Sequence, residues 1–211
     1  MLSWNTALFL FLNAASRPGP VLQGLVVAVA SAPVLLAPVL LACLWVWGPP
    51  ARRAALIAAG AGVFAGQGIN LLLGLVWFEP RPFMAGVGHT WLDHVADNGF
   101  PSDHATLAWS LGLGLALTDA SRRCGAATCL AGLAGLAAGW ARIYLGVHFP
   151  VDVLASIPAG LLAAGFASTL LPPIRRRVAP PVERAYDMAL RFLPHWMRVA
   201  AGTGSAANRD Q

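Results

Sequence analysis

Long apolar segments, separated by short polar loops, are the feature that most restricts how this chain can fold. A helix needs about 20 mostly apolar residues to cross the hydrocarbon core of a bilayer. Five segments meet or approach that length, the third being short: 21–47, 54–78, 104–117, 126–145 and 151–171. Residues 3–16 form a shorter apolar segment, which fits either a helix in the membrane interface or a sixth crossing. Since only 11% of the residues are charged, against about 25% in soluble domains, we predict an all-α, polytopic membrane bundle of five or six transmembrane helices.

Arginines at the ends of the apolar segments predict how the bundle is oriented. All 14 basic residues are arginines, and three short loops are rich in them: 48–54, 119–125 and 172–178. With five alternating spans these loops share one side of the membrane, and the polar, histidine-bearing loops share the other. Because loops rich in arginine stay in the cytoplasm, we expect the histidine-bearing loops to face the periplasm or the cell exterior. Arginines at span ends also account for the net charge of +5, so the pattern argues against a nucleic-acid partner.

The C-terminal part differs in composition from the apolar region. We divide the chain into a transmembrane domain, residues 1–174, and a basic cytoplasmic tail, residues 175–211. Two interpretations of the tail stay open: an amphipathic helix on the cytoplasmic leaflet, interrupted at Pro194, or a partly ordered basic segment. Arginines recur in it every seven residues, and apolar side chains can share another face: Arg184, Arg191 and Arg198; Val182, Tyr186, Leu190, Leu193 and Met197. We expect the last ten residues to be disordered.

Three polar stretches carry the ionisable residues that this topology brings to one membrane face. They are FEPRPF (78–83), FPSDH (100–104) and ARIYLGVHFPVD (141–152). Ionisable groups near a bilayer are costly, and they mark functional sites. The predicted cluster consists of Arg81, Ser102, Asp103, His104, Arg142, His148 and Asp152.

The residue types in this cluster suit phosphate chemistry. The planar guanidinium groups of Arg81 and Arg142 can each donate two hydrogen bonds to a multiply charged anion. A helix that begins near Ser102 adds free backbone N–H groups, and the Ser102 hydroxyl either caps that helix or touches the anion. Of two histidines, one can attack phosphorus while the other protonates the leaving oxygen.

The spacing of His148 and Asp152 predicts an oriented imidazole. Pro150 suits the first turn of a helix, which places His148 just outside that helix and Asp152 in its first turn. The carboxylate can then accept from one ring nitrogen and leave the other free as a nucleophile.

Each of these residues also has an ordinary structural explanation. An arginine at a span end can anchor topology, a histidine can be a hydrogen-bonded structural residue, and Ser102 or Asp152 can serve only its helix start. Convergence of all of them on one face favours a functional site. A transporter or channel is the alternative from another class, but it would place charges inside several spans.

Three motifs in this order resemble the type-2 phosphatidic acid phosphatase superfamily: Arg81-Pro82, Pro101-Ser102-Asp103-His104, and Arg142 with His148 and Asp152. The stretches FEPRPF, GHTWLDHVADNGFPSDH (88–104) and ARIYLGVHFPVDVL (141–154) are similar to its BcrC-type undecaprenyl-diphosphatase branch. The resemblance implies a haloperoxidase-like helical core in the bacterial cytoplasmic membrane. It also implies hydrolysis of undecaprenyl diphosphate to undecaprenyl phosphate and inorganic phosphate without cofactor or metal, which recycles the carrier lipid for peptidoglycan and can confer bacitracin resistance.

The resemblance and the residue chemistry together assign roles. His148 is the expected nucleophile that forms a phosphohistidine, His104 the proton donor and Asp152 the partner of His148. The expected phosphate ligands are Arg81, Ser102 and Arg142. Four further residues are candidate supporting groups: Asp103, Glu79, His89 and His94.

Two positions depart from the superfamily pattern. Gly74 stands where a lysine usually precedes the motif arginine by seven residues, and Asp103 stands where glycine is usual. The branch shares the aspartate, whose charge should repel a phosphate unless the side chain turns to a neighbour. Motifs that grip phosphate do not read a lipid tail, so phosphatidylglycerol phosphate, phosphatidic acid and a lipid A phosphate remain alternative substrates.

The loop between the second and third spans raises the question of a metal. His89 and His94 lie there with Asp93 and Asp97. We favour solvation or orienting contacts over a metal site, because a stable site needs a defined ligand set that this spacing does not show.

Overall fold

The computed structural model describes residues 3–119 and 122–192, which form a bundle of seven α-helices with no β-strand. Two short helical turns lie between them, a 3₁₀ turn (Pro50–Arg52) before α3 and a π-helical turn (Ile174–Val178) between α6 and α7. The predicted all-α architecture is confirmed. The helices are α1 (Ser3–Leu12), α2 (Pro20–Trp47), α3 (Arg53–Val76), α4 (Asp103–Thr118), α5 (Arg122–Tyr144), α6 (Pro150–Pro173) and α7 (Ala179–Arg191).

Within the described residues, four helical stretches are long and apolar enough to cross a membrane: Pro20–Trp47, Pro50–Val76, Gly125–Tyr144 and Pro150–Arg191. They correspond to the first, second, fourth and fifth predicted spans, although the second ends at Val76 rather than residue 78 and the fourth at Tyr144 rather than residue 145. The third span is α4, whose 16 residues reach about 24 Å, less than the hydrocarbon core of about 30 Å. The ten residues of α1 reach only about 15 Å, so this helix is too short to be a sixth crossing.

Helix α4 is the central helix of the bundle. It packs against α3, α5 and α6 and also contacts α2. Leu111 and Leu115 of α4 are buried in a core that α2, α3 and α5 complete. A Cβ atom on Gly160 of α6 would lie 3.0 Å from the backbone nitrogen of Ser110, so glycine allows α6 to approach α4 closely.

Helix α1 lies at the end of the bundle where α4 and α6 begin. Its Phe9 ring packs edge-on against Phe149, with ring centroids 5.1 Å apart. The buried Asn5 side chain accepts a hydrogen bond from the Val151 N–H at 3.0 Å. This short helix therefore braces the turn that leads into α6.

At the opposite end, α7 packs against the start of α3. The Arg53 guanidinium lies 5.2 Å from the Trp45 ring centroid and 4.7 Å from that of Tyr186. Its Nη1 atom is 3.8 Å from Asp187 Oδ1. A cation between two aromatic faces holds a helix well, so α7 is attached to the bundle.

Part of the predicted tail is therefore helical. Tyr186 and Leu190 face the bundle, whereas Val182, Met188 and Phe192 are exposed. The predicted interruption at Pro194, the residues Leu193, Met197 and Arg198, and the expected disordered end lie outside the described residues.

Candidate active site

The three polar stretches predicted to converge do meet at one end of the bundle. The 77–102 loop after α3 supplies Arg81, the first turn of α4 supplies His104, and the connection from α5 to α6 supplies His148. Arg81 Nη1 lies 3.0 Å from His148 Nε2. The Ser102 N–H donates to the backbone oxygen of Asp152 at 3.0 Å. The topology thus joins residues up to 71 positions apart in the chain into one cluster.

The turn between α5 and α6 builds the histidine–aspartate pair. Gly146 has φ +82°, a conformation that favours glycine, and Pro150 opens α6 as predicted. Asp152 Oδ2 accepts the Phe149 N–H at 2.8 Å and lies 3.3 Å from His148 Nδ1. Because the carboxylate also satisfies a free N–H of the helix start, its position is fixed twice.

Arg81 is held on every side. It is only 2% exposed. Its Nε donates to Asp97 Oδ1 at 2.7 Å, its Nη1 to the Val147 carbonyl at 3.0 Å, and its Nη2 to the Asn98 carbonyl at 3.0 Å. Such a network orders a long side chain before any anion binds, which lowers the entropic cost of binding.

The contacts of His148 assign its tautomer. Arginine can only donate, so His148 Nε2 accepts from Arg81 Nη1 and the ring proton lies on Nδ1, facing Asp152. Burial, followed by the positive charges of Arg142 and Arg81, lowers the pKa of His148 well below its ordinary value of 6.5. The imidazole is therefore neutral near pH 7, as a nitrogen nucleophile must be.

Arg142 is positioned by a residue of the 77–102 loop. This arginine is 3% exposed, and its Nη2 donates to His94 Nε2 at 2.7 Å. The other ring nitrogen of His94 donates to the Val95 carbonyl at 3.1 Å. Burial and the charges of Arg81 and Arg142 lower the pKa of His94, although its bond to Val95 opposes that shift. Neutral His94 can accept from Arg142, so this candidate supporting residue belongs to the cluster.

The start of α4 presents a serine hydroxyl to the same region. Ser102 is the N-cap of α4, but its side chain makes no capping hydrogen bond. Its Oγ is buried and has no hydrogen-bond partner among the described residues. Of the two roles open to Ser102, contact with an anion therefore fits the geometry better than capping. His104, in the first turn, is partly buried and close enough for its charge to affect His148.

Asp103 turns to a neighbouring helix. Its Oδ1 accepts a hydrogen bond from Asn70 Nδ2 of α3 at 2.8 Å. The side chain is exposed, and its carboxylate is engaged by an amide. This explains how an acidic residue can stand beside a cluster that is predicted to bind phosphate.

The other two candidate supporting residues have partners outside the cluster. The Glu79 carboxylate accepts from the Trp77 indole N–H at 3.3 Å. His89 is exposed, and its ring stacks on Trp91 with centroids 5.6 Å apart. Among the residues that the structure describes, no three His, Cys, Asp or Glu side chains are grouped as metal ligands.

Sequence reasoning missed Asn98 and Asn70, and it named Asp97 only among the loop residues expected to be solvated or to make orienting contacts. Asp97 and Asn98 hold Arg81, and Asn70 holds the start of α4. Asn70 carried a usable signal, because an amide inside an apolar helix needs an internal partner. The two loop residues stand among other polar residues, where such a signal is weak.

Asn98 also lies beside the position where the superfamily usually has lysine. A Cβ atom on Gly74 would lie 3.0 Å from Asn98 Nδ2. That amide donates to the Phe100 carbonyl at 2.7 Å and to the Trp77 carbonyl at 3.2 Å. Position 74 therefore faces an uncharged side chain that ties the 77–102 loop together.

Comparison with known proteins assigns the family. The model of the PAP2 superfamily matches residues 55–176, from α3 to the π-helical turn. The chain belongs to the PAP2 superfamily. The relatives and the solved structure below agree with this PAP2 assignment, and with the apolar helices they support a multi-pass membrane phosphatase.

Two curated relatives of this PAP2 chain are similar over nearly their whole length. Undecaprenyl-diphosphatase BcrC of Bacillus subtilis (strain 168) is 33% identical over 189 residues, 90% of this chain and 95% of that protein. The putative undecaprenyl-diphosphatase YbjG of Escherichia coli (strain K12) is 29% identical over 196 residues, 92% of this chain and 97% of that protein. The predicted branch of the PAP2 superfamily is thereby confirmed.

The crystal structure of Aquifex aeolicus LpxE shares the fold. It superposes with a TM-score of 0.62, covers 79% of this chain and 95% of that chain, and is 21% identical. The predicted PAP2-type helical core is therefore confirmed.

Proposed function

We propose that this chain is an undecaprenyl-diphosphate phosphatase that works through a phosphohistidine on His148. The observation that carries the chemistry is the placement of the neutral imidazole between Asp152 on Nδ1 and Arg81 on Nε2. The substrate is inferred from the 33% identity to BcrC of Bacillus subtilis over 95% of that protein.

The first step transfers the terminal phosphoryl group to the enzyme. As the diphosphate binds, Arg81 Nη1 turns from His148 Nε2 to a phosphate oxygen and frees the Nε2 lone pair. His148 Nε2 then attacks the terminal phosphorus, a nitrogen–phosphorus bond forms, and the bond from phosphorus to the bridging oxygen breaks. His104 binds a proton once the negative charge of the diphosphate lies beside it, and it donates this proton to the leaving lipid phosphate. Asp152 stabilises the positive charge that develops on His148, while Arg81, Arg142 and the Ser102 hydroxyl bind the equatorial oxygens.

The second step regenerates the enzyme. His104, now neutral, accepts a proton from water as the water oxygen attacks phosphorus. The nitrogen–phosphorus bond breaks, inorganic phosphate leaves, and His148 returns to its neutral form. No proton is gained or lost by the enzyme over the two steps, because His104 ends protonated as it began.

The proposed setting is the outer face of the bacterial cytoplasmic membrane. Arginine-rich loops lie at the end of the bundle away from the cluster, which by the positive-inside rule makes that end cytoplasmic. The diphosphate headgroup would enter the cluster from the outer leaflet while the polyprenyl tail stays in lipid. Recycling of this carrier lipid would support peptidoglycan synthesis, and raised expression would increase bacitracin resistance.

A comparison of lipid substrates tests the proposal. Purified full-length protein in detergent would be given undecaprenyl diphosphate, phosphatidylglycerol phosphate or phosphatidic acid, and phosphate release measured. We expect the highest kcat/KM with undecaprenyl diphosphate. A clear preference for either of the other lipids would identify that lipid as the substrate instead. Phosphate release from none of the three would refute the proposed phosphatase function.

Two further measurements test the chemistry. EDTA should leave the rate largely unchanged, and a strict requirement for an added divalent metal would contradict the scheme. His148→Ala should abolish turnover, and near-normal release by this variant would remove His148 as the nucleophile.

A further inference from the structure

Asn70 is a buried amide in an otherwise mainly apolar spanning helix. It lies near the outer end of α3 and is only 6% exposed. An amide in such surroundings costs free energy unless its hydrogen-bonding groups find partners. The partners of Asn70 therefore indicate what this residue does.

All partners of the Asn70 side chain lie at the start of α4. Its Nδ2 donates to Asp103 Oδ1 at 2.8 Å and to Thr106 Oγ1 at 3.1 Å, and lies 3.5 Å from the Pro101 carbonyl. Its Oδ1 is 3.3 Å from the hydroxyl of Thr106, which is fully buried. One turn earlier in α3, Gln67 Nε2 donates to the Asp103 carbonyl at 3.2 Å. Side chains of α3 thus grip the first turn of α4.

The opposite side of that turn is bound to α6. The Ser102 N–H donates to the backbone oxygen of Asp152, the residue whose carboxylate contacts His148. The first turn of α4 is therefore held between α3 and α6, the helix that carries Asp152. His104 lies in this turn, between Ser102, which bonds to α6, and Thr106, which bonds to Asn70 of α3.

We propose that Asn70 and Asp103 form a positioning pair that sets the distance from His104 to His148, a role that rests on the proposed phosphatase function. In this scheme neither side chain touches the reacting atoms. A proton donor works only within hydrogen-bond reach of its acceptor, and a displacement of about 1 Å in an active site can lower a rate about 100-fold. Asp103 therefore acts as a hydrogen-bond acceptor for Asn70, and its negative charge is not what the reaction requires.

Substitutions at the exposed Asp103 separate these two properties. Asp103→Asn keeps an oxygen that can accept from Asn70 but removes the charge, whereas Asp103→Ala removes both. We expect Asp103→Asn to stay within about 3-fold of the wild-type kcat, and Asp103→Ala and Asn70→Ala to lower kcat about 10- to 100-fold with little change in KM. The double variant Asn70→Ala/Asp103→Ala should be no slower than the slower single variant, because each single substitution already breaks the hydrogen bond between these two residues.

Thr118→Val is the matched control. Thr118 lies at the other end of α4; its hydroxyl donates to the Gly114 carbonyl of its own helix at 2.7 Å and also lies 3.3 Å from the Ala55 carbonyl of α3. Loss of this contact should leave kcat unchanged, since it is remote from His104. All variants would be purified at full length, with thermal unfolding measured beside phosphate release from undecaprenyl diphosphate.

Each outcome decides the proposal. Equal losses in Asp103→Asn and Asp103→Ala would show that charge matters rather than the hydrogen bond, and would overturn it. So would a wild-type kcat in Asn70→Ala, or a drop in Thr118→Val as large as in Asn70→Ala. If Asn70→Ala does not fold, the comparison of Asp103→Asn with Asp103→Ala still tests the proposal. A wild-type protein that releases no phosphate would instead refute the proposed function, and the positioning role with it.

Discussion

Replacing Asp152 by asparagine tests how the buried carboxylate assists His148. Asp152 is fully buried, and its Oδ2 accepts both the Phe149 N–H at 2.8 Å and the His148 Nδ1–H at 3.3 Å. An asparagine oxygen at the Oδ2 position can keep both hydrogen bonds. The variant then lacks only the negative charge that stabilises the imidazolium as His148 attacks phosphorus.

The size of the effect follows from these contacts. A hydrogen bond to a charged group contributes about 1.5–3 kcal/mol and a neutral one about 0.5–1.5 kcal/mol, so loss of the charge with the bond kept costs about 1–1.5 kcal/mol. Since about 1.4 kcal/mol corresponds to a tenfold change in rate, Asp152→Asn should lower kcat about 5- to 12-fold. The new NH2 group would also occupy the position of Oδ1, which is buried and has no partner among the described residues. For this reason we expect a lower melting temperature as well.

Phosphate release from undecaprenyl diphosphate by purified protein provides the assay. Ser156→Ala is the matched control, because Ser156 is fully buried one turn further along α6 and, among the described residues, its hydroxyl bonds to the Val153 carbonyl of its own helix. This control should keep the wild-type kcat. If Asp152→Asn stays within about 3-fold of wild type while remaining folded, the carboxylate charge does not assist the nucleophile and the reasoning is refuted.

Three other predictions use the described contacts. His94→Ala removes the acceptor for Arg142 Nη2, so KM should rise about 3- to 10-fold. His94→Gln should restore most of the wild-type KM. An unchanged KM in His94→Ala would show that His94 does not support the site. The pKa of His148 is lowered well below 6.5, first by burial, so on acidification the unfolded chain takes up a proton that the folded protein excludes. Thermal stability should therefore fall more steeply from about pH 7 to about pH 5 in wild type than in His148→Asn, and equal slopes would contradict this. In a background without the native cysteines, an impermeant thiol reagent should label Val95→Cys in intact cells but Met188→Cys only after lysis, and the reverse pattern would invert the orientation.

Much of the site could be predicted from the sequence, because its members are identified by local patterns. His148 and Asp152 are four residues apart across a helix start, and such a pair meets whatever the rest of the fold does. The lengths of the apolar segments predicted the order of the spans. Because successive spans run in opposite directions, Arg81, His104 and Arg142 lie at one end of the bundle. A chain constrained by a bilayer has few topologies, which is why spacing was informative.

Other features depended on which side chains meet across helices, and only the tertiary structure decided them. His89 and His94 are five residues apart in one loop, yet the first stacks on Trp91 and the second bonds Arg142. Asp103 is an acidic residue beside the predicted phosphate-binding cluster. It is accommodated there because Asn70 of α3 donates a hydrogen bond to its carboxylate.

The sequence by itself determined the class of the protein, the order of its spans and the residues available for chemistry. Tertiary structure decided how those residues are held: Ser102 leaves its helix uncapped, and Arg81 is fixed by Asp97 and Asn98. The physical reason is the separation in sequence over which each kind of interaction acts. Burial in a bilayer and helix-start preferences act on neighbours in sequence, whereas a hydrogen bond needs two groups within about 3 Å, and that distance is set by the packing of the whole bundle.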